Sequence, residues 1–195
     1  MKIRGREVEY IDDGHIYLVD GVVVPSITQI LKHRFGKKYD FVNPDVLKKA
    51  ADKGTAVHEA IEMWCREGIP SDLPEVRNFE FLKKKYGFEV VENEVPVILE
   101  RDGEPIAAGR LDLVLKMDGH IGGADIKRTS SLDKEYVAYQ LNLYRIAYRQ
   151  CYGVEWEFLR AVHLREDTRK FVALPINEKM AWKMLDEFTE ANNES

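Results

Sequence analysis

Between Phe88 and Lys127 the chain runs three times through a β-rich segment, at residues 88–99, 106–117 and 120–127. The first two are separated by Asp102-Gly103 and the last two by Asp118-Gly119. Asp-Gly is the dipeptide that closes two-residue hairpins, so the three runs form an antiparallel meander. Every other segment must find its place against that sheet.

The flanking signals are mostly helical. Residues 15–25 form two short β-rich runs that turn at Asp20-Gly21, an N-terminal hairpin. Ser26 with Gln29 three residues on has capping-box spacing for a helix of two to three turns. Asn43-Pro44 pairs a cap with proline at the first helical position and launches a helical region that runs to Gly68, with Gly54-Thr55 as its expected break. A helix over 74–86 stops at Gly87, and another over 132–152 stops at Gly153. Strands at 154–164 and 170–174 and a helix over 177–192 complete the chain. The order predicts an α/β (α+β) protein, a single domain with a central mixed β-sheet flanked by helices. Residues 1–43 make the N-terminal hairpin and helix, and 44–195 make the core.

Composition narrows the function classes. With 45% apolar and 32% charged residues, the chain is neither disordered nor built for a bilayer, and no apolar run approaches membrane-spanning length. Acidic residues interrupt the N-terminus before an apolar signal segment can form, so a cytoplasmic location is expected. Two cysteines, Cys65 and Cys151, are too few for a disulfide framework or a four-thiolate cluster, and both are read as fillers on helices. The net charge of −5 argues against a purely electrostatic nucleic-acid binder, but an enzyme that holds cations with carboxylates can be acidic overall.

Asp112 is a lone carboxylate within Leu111-Asp-Leu-Val-Leu115. It lies either on a solvated sheet face or beside a cation or hydrogen-bond network, because an unpartnered buried carboxylate is costly. Gly109 nearby permits a close approach to the backbone. In the next strand, Asp125 and Lys127 share one face while Ile126 points into the core. A carboxylate and an ammonium side by side are the minimal equipment for holding a metal and positioning the water it activates. Gln140 and Tyr144 fall on one face of the following helix, and His58 adds an imidazole to the helix before the meander. Taken singly, these are equally the marks of an amphipathic helix whose tyrosines pack and of a surface histidine.

Taken in order, Gly54 to His58, Asp112 within Gly109-Arg-Leu-Asp-Leu-Val, Asp125-Ile-Lys127 and Gln140 to Tyr144 resemble the PD-(D/E)XK nuclease superfamily, and within it the RecB-like and lambda-type (phage) exonuclease branch. The N-terminal His15-Ile-Tyr-Leu-Val-Asp-Gly and Val24-Pro-Ser-Ile-Thr-Gln-Ile-Leu31 also look like phage-type members. The resemblance implies a restriction-endonuclease-like αβββαβ core. It implies that His58, Asp112, Asp125 and the carbonyl of Ile126 hold a divalent cation, Mg²⁺ or Mn²⁺, and that Lys127 orients or activates the attacking water. Gln140 and Tyr144 would brace the site and meet DNA. Glu94 and Glu62 stay outside this set, as carboxylates near enough for a second cation but more simply read as solvated. Iron–sulfur members carry four cysteines, and this chain has two.

For DNA contact, the basic residues Lys32, Arg34, Lys37 and Lys38, the run Lys83 to Lys85, and Arg128 and Ser130 are the expected phosphate contacts. Arg128 and Ser130 adjoin the Asp-x-Lys motif. No base-reading module is visible, so cleavage should be independent of sequence. The reading is a divalent-metal-dependent exonuclease acting on linear duplex DNA in phage or prophage recombination or repair. It would act as a homo-oligomer or with a single-strand annealing partner, and away from membranes. The alternatives are an endonuclease on the same fold and a catalytically silent DNA-binding or assembly module.

Overall fold

A computed structural model describes residues 1–11, 16–36 and 43–193. The meander forms as the Asp-Gly signals predict. Strands β5 (Glu89–Arg101), β6 (Glu104–Met117) and β7 (His120–Lys127) pair antiparallel, and Asp102, Gly103, Asp118 and Gly119 all take the positive φ that these turns need. Helix α4 (Lys134–Tyr152) then carries the chain across to β8 (Phe158–Leu164), which lies parallel to β7, and β9 (Arg169–Leu174) pairs antiparallel at the far edge. The result is a mixed five-stranded sheet in the order β5-β6-β7-β8-β9.

Both faces are covered. Helices α1 (Ile27–Phe35), α4 and α5 (Glu178–Asn193) contribute Ile27, Leu31, Leu141, Leu143 and Leu185 to one apolar layer. Helices α2 (Pro44–Glu67) and α3 (Pro74–Tyr86) bring Val57, Ile61, Phe79 and Leu82 against Leu113, Leu115, Ile126 and Val162 on the other. Strand β7 is drawn tightly against its surroundings. A Cβ on Gly123 would lie 2.0 Å from Trp156, which only glycine avoids.

Three features depart from the sequence expectations. The N-terminal hairpin is half of a four-stranded antiparallel sheet. Strands β1 (Lys2–Ile3) and β2 (Arg6–Ile11) precede β3 (Ile16–Val19) and β4 (Val22–Val24), so the N-terminal region forms a second sheet and not a lone hairpin. It is fastened to the main sheet through Ile3, Val8, Val19 and Val24 packed on Ile98 and Ala108. His15, the expected start of the hairpin, and Lys37 and Lys38 lie outside the described residues.

Second, α2 is one continuous helix of 24 residues, and Gly54 does not break it. Glycine inside a helix costs about 1 kcal/mol, which the anchoring of Val57 and Ile61, 2% and 1% exposed, readily offsets. From Asn43 to Lys53 every residue of this element is exposed, so its N-terminal turns stand clear of the core. Third, the meander is irregular: β5 and β6 lose register at Leu99/Glu100 and again at Val90/Glu92. The other caps are as expected, including the reciprocal Ser26–Gln29 capping box and Asn43 accepting the N–H of Asp45 at 2.8 Å.

Candidate active site

The first register shift decides what stands beside Asp112. An unbroken hairpin running back from the Arg101↔Glu104 pair would set Asn93 opposite Asp112. Because Ile106 is skipped between Glu100↔Pro105 and Leu99↔Ala107, the pairs become Val95↔Leu111 and Asn93↔Leu113, and Glu94 takes that place. Glu94 holds φ at 51°, a left-handed backbone uncommon for a residue with a side chain. Strain of this kind costs of order 1–3 kcal/mol and gathers at functional sites.

His58, Glu94 and Asp112 form a group whose ligand atoms all lie within 4.8 Å of one another. His58 Nδ1 faces Asp112 Oδ1 at 3.6 Å and Glu94 Oε1 at 3.8 Å, while Nε2 lies 3.1 Å from the carbonyl oxygen of Ile126. A ring whose Nε2–H donates to a backbone carbonyl presents Nδ1 as its lone-pair nitrogen, the usual way an imidazole ligand is oriented. Asp112 is fixed in the same manner: Oδ2 accepts the N–H of Ile126 at 2.7 Å, leaving Oδ1 toward the histidine. Ile126 thus meets the site through its backbone, its N–H on Asp112 and its carbonyl on His58, while its side chain is buried.

One imidazole and two carboxylates are a donor set suited to a hard or borderline divalent cation. Asp125 stands outside this group. Its carboxylate, 2% exposed, pairs with Lys127 Nζ at 2.6 Å, and Lys127 also donates to Gln140 Oε1 at 3.0 Å. Glu94 therefore takes the place beside His58 and Asp112 that the sequence resemblance gave to Asp125. Glu62 points elsewhere, to Arg66 at 2.6 Å.

The electrostatics follow from this crowding. Burial opposes charge on His58, yet facing Asp112 and Glu94 outweighs it and lifts the imidazole to about 9. Burial drives the Asp125 carboxyl above the ordinary carboxylate range despite Lys127. Burial also works against the Lys127 ammonium, but Asp125 and Asp112 hold its pKa above the usual lysine value. Lys127 is accordingly a fixed positive charge here and not a lysine softened into a base.

Gln140 and Tyr144 are 7% and 5% exposed and serve as braces. Tyr144 donates to the carbonyl of Arg110 at 3.0 Å and packs on Gly109, where a Cβ would meet its ring at 3.0 Å. These groups line a cleft of about 900 Å³ whose cationic rim is Arg110, Lys127, Arg128 and Arg165, with Ser130 alongside. Arg110 reaches Glu94 at 2.7 Å. Arg128 is tied down by the buried Glu75 at 2.7 Å, and Ser130 is exposed. Lys32, Arg34 and Lys83 to Lys85 do not line this cleft. Arg34 pairs with Glu187 at 2.7 Å, and Lys83 lies 5.9 Å from the Trp64 ring.

Glu94, which the sequence reading held outside the set as a carboxylate for a second cation, belongs to the ligand group itself. Spacing alone would not place it there, because the bulge that brings it opposite Asp112 leaves no mark in the sequence. Among the described residues, no helix is long and apolar enough to cross a membrane.

No family model and no curated protein matches the chain. Among solved structures it is similar to the crystal structure of SSO0001, with a TM-score of 0.50, 16% identity, and 86% of this chain and 76% of that one covered. It is also similar, with a TM-score of 0.48 and 11% identity, to a candidate exonuclease from Eubacterium rectale, covering 88% of this chain and 82% of that one. The fold is thus one that a chain of 16% identity also adopts.

Proposed function

We propose that the chain is a divalent-metal-dependent deoxyribonuclease that degrades linear duplex DNA from its ends, in phage or prophage recombination or repair. The observation that carries this reading is the convergence of His58, Glu94 and Asp112 within 4.8 Å on the wall of a cleft, with the Lys127–Asp125 pair on the neighbouring strand. When bound, Mg²⁺ or Mn²⁺ supplies Lewis-acid polarisation of the phosphate and an acidified water. His58, Glu94 and Asp112 would hold it.

The protein's own groups do the rest. Lys127, kept charged by Asp125 and steered by Gln140, offers its ammonium to the phosphate oxygens or to the attacking water. Asp112 holds β7 by the Ile126 N–H and so sets the distance between the ligand group and Lys127. Arg110, Arg128 and Arg165 place positive charge on the rim of an otherwise acidic floor, where a polyanion must approach. Nothing in this rim reads bases, in keeping with sequence-independent cleavage.

The test is incubation of the purified protein with linear and covalently closed circular duplex DNA in Mg²⁺ or Mn²⁺. Loss of the linear DNA alone supports an exonuclease, and cutting of both makes it an endonuclease. No cleavage of either, or cleavage that persists with chelator, rejects the reading.

A further inference from the structure

His58, Glu94, Asp112 and the basic rim are not all that lines the cleft. It also holds side chains that a phosphate-binding surface does not call for. Tyr10 and Tyr17 are a cross-strand pair on β2 and β3, with ring centroids 4.9 Å apart at 40°, and both line the cleft. The free-standing N-terminal turns of α2 line it too, with Val46 and Leu47, 58% and 37% exposed. Tyr17 joins the two chemistries. Its hydroxyl, pushed up to about 12 mainly by burial, also feels the charges of Arg110 and Glu94.

An intact duplex turns sugars and phosphates outward, and proteins meet it with cations and polar donors. Tyrosine rings with aliphatic neighbours complement something else, the flat faces of bases that have left the stack. Such faces exist only on a single strand or a frayed end. The arginines on the rim then take the backbone of that same strand.

We propose that Tyr10 and Tyr17 form a stacking platform for unstacked nucleobases, with Val46 and Leu47 as further apolar contacts, so that the strand delivered to the ligand group is unpaired. This rests on the nuclease reading above. The consequence is a substrate order: single strands and duplexes with unpaired tails are taken in preference to blunt duplex, which must first open at its end.

The experiment measures kcat/KM in Mn²⁺ on one sequence presented as single strand, tailed duplex and blunt duplex, and measures binding by fluorescence anisotropy with the Lys127→Ala protein. Losing two base contacts weakens single-strand binding by about 5- to 150-fold per base. That loss is expected for Tyr10→Ala/Tyr17→Ala, with Tyr10→Phe/Tyr17→Phe retaining wild-type affinity. It is expected equally for the unaltered tyrosine pair when the strand carries abasic nucleotides near its end, a comparison made within one protein and so independent of how the tyrosine variants fold. Equal binding of abasic and intact strands, or a preference for blunt duplex, overturns the platform while leaving the nuclease assignment standing. Absence of cleavage on every substrate removes the nuclease assignment itself, and the platform with it.

Discussion

Asp112 Oδ2 accepts the backbone N–H of Ile126 at 2.7 Å, so the carboxylate that faces His58 is also the fastener between β6 and β7 beyond their last paired residues, Leu113 and Ala124. The two duties can be separated. Asp112→Asn keeps an oxygen for the N–H and is expected to fold with near wild-type stability but to cleave no DNA. Asp112→Ala strands a buried donor and should cost a further 1–3 kcal/mol or so in urea unfolding. Full nuclease activity in Asp112→Asn would remove this residue from the metal set.

Lys127→Ala leaves Asp125 buried with no ammonium beside it. Removing one member of a buried pair costs about 3–5 kcal/mol. Burial already raises the Asp125 carboxyl. A carboxylate with a folded pKa above its unfolded value destabilises at high pH, and that penalty fades as pH falls through the folded pKa. The deficit of Lys127→Ala against wild type should therefore shrink on acidification, and Asp125→Asn in the same background should recover most of it at pH 7. A deficit that does not change with pH would contradict this account.

His58 gives a slope of the same sign from a cationic group. Its folded value of about 9 lies above that of a free imidazole, so its stabilisation is complete below pH 6.5 or so and is lost as pH rises through 9. With the imidazole 28% exposed, the contribution is on the order of 2 kcal/mol. Metal-free wild type should lose that amount between these limits in denaturant midpoints, and His58→Gln should not. Mn²⁺ should bind more tightly as pH rises over the same range, with release of a proton. Pulling in the opposite direction would show that His58 is not a ligand.

Glu94 allows strain and ligation to be told apart. Both Glu94→Ala and Glu94→Gly remove a carboxylate and should weaken Mn²⁺ binding at least tenfold by calorimetry. Glycine accepts φ of 51° freely and alanine does not, so the glycine variant should be the more stable by about 1 kcal/mol. Unchanged metal affinity in both would return the second-carboxylate role to Asp125.

Gly109→Ala tests the brace behind Asp112. The added methyl would meet the Tyr144 ring at 3.0 Å and its hydroxyl at 3.1 Å, pressing it off the Arg110 carbonyl. Overpacking of this kind costs about 1–3 kcal/mol, and activity should fall well beyond what the remaining folded fraction explains. Coincident losses of stability and activity would make Gly109 purely structural.

The parts of this protein that the sequence discloses are those governed by local rules. Asp-Gly turns, the Ser26–Gln29 box, Asn43-Pro44 and the stop glycines act over a few residues, so the helices and the meander are legible from them. The alternation in Asp125-Ile126-Lys127 likewise places the ion pair on one face with the isoleucine inside. Long-range features are not legible in this way. Lys2–Ile3 and Arg6–Ile11 are short and interrupted by charge, and they become strands only through the sheet they join. Glu94 enters the site because one extra residue on β6 shifts a ladder, and Arg128 is tied down on the rim by Glu75, 53 residues away in the chain. Gly54 misleads for the converse reason: a local break signal yields to Val57 and Ile61 packed against the sheet.

Helix α2 is held only from Val57 onward, one residue before His58. That makes the segment from Pro44 to Ala56 a lever with its fulcrum at Val57, beside the histidine. Val46 lies 11 residues, or about 16 Å, from that pivot. A tilt of about 5° carries it roughly 1.4 Å and leaves the imidazole almost where it was. The Val46–Leu47 edge of the cleft can thus shift while the His58, Glu94 and Asp112 group keeps its geometry.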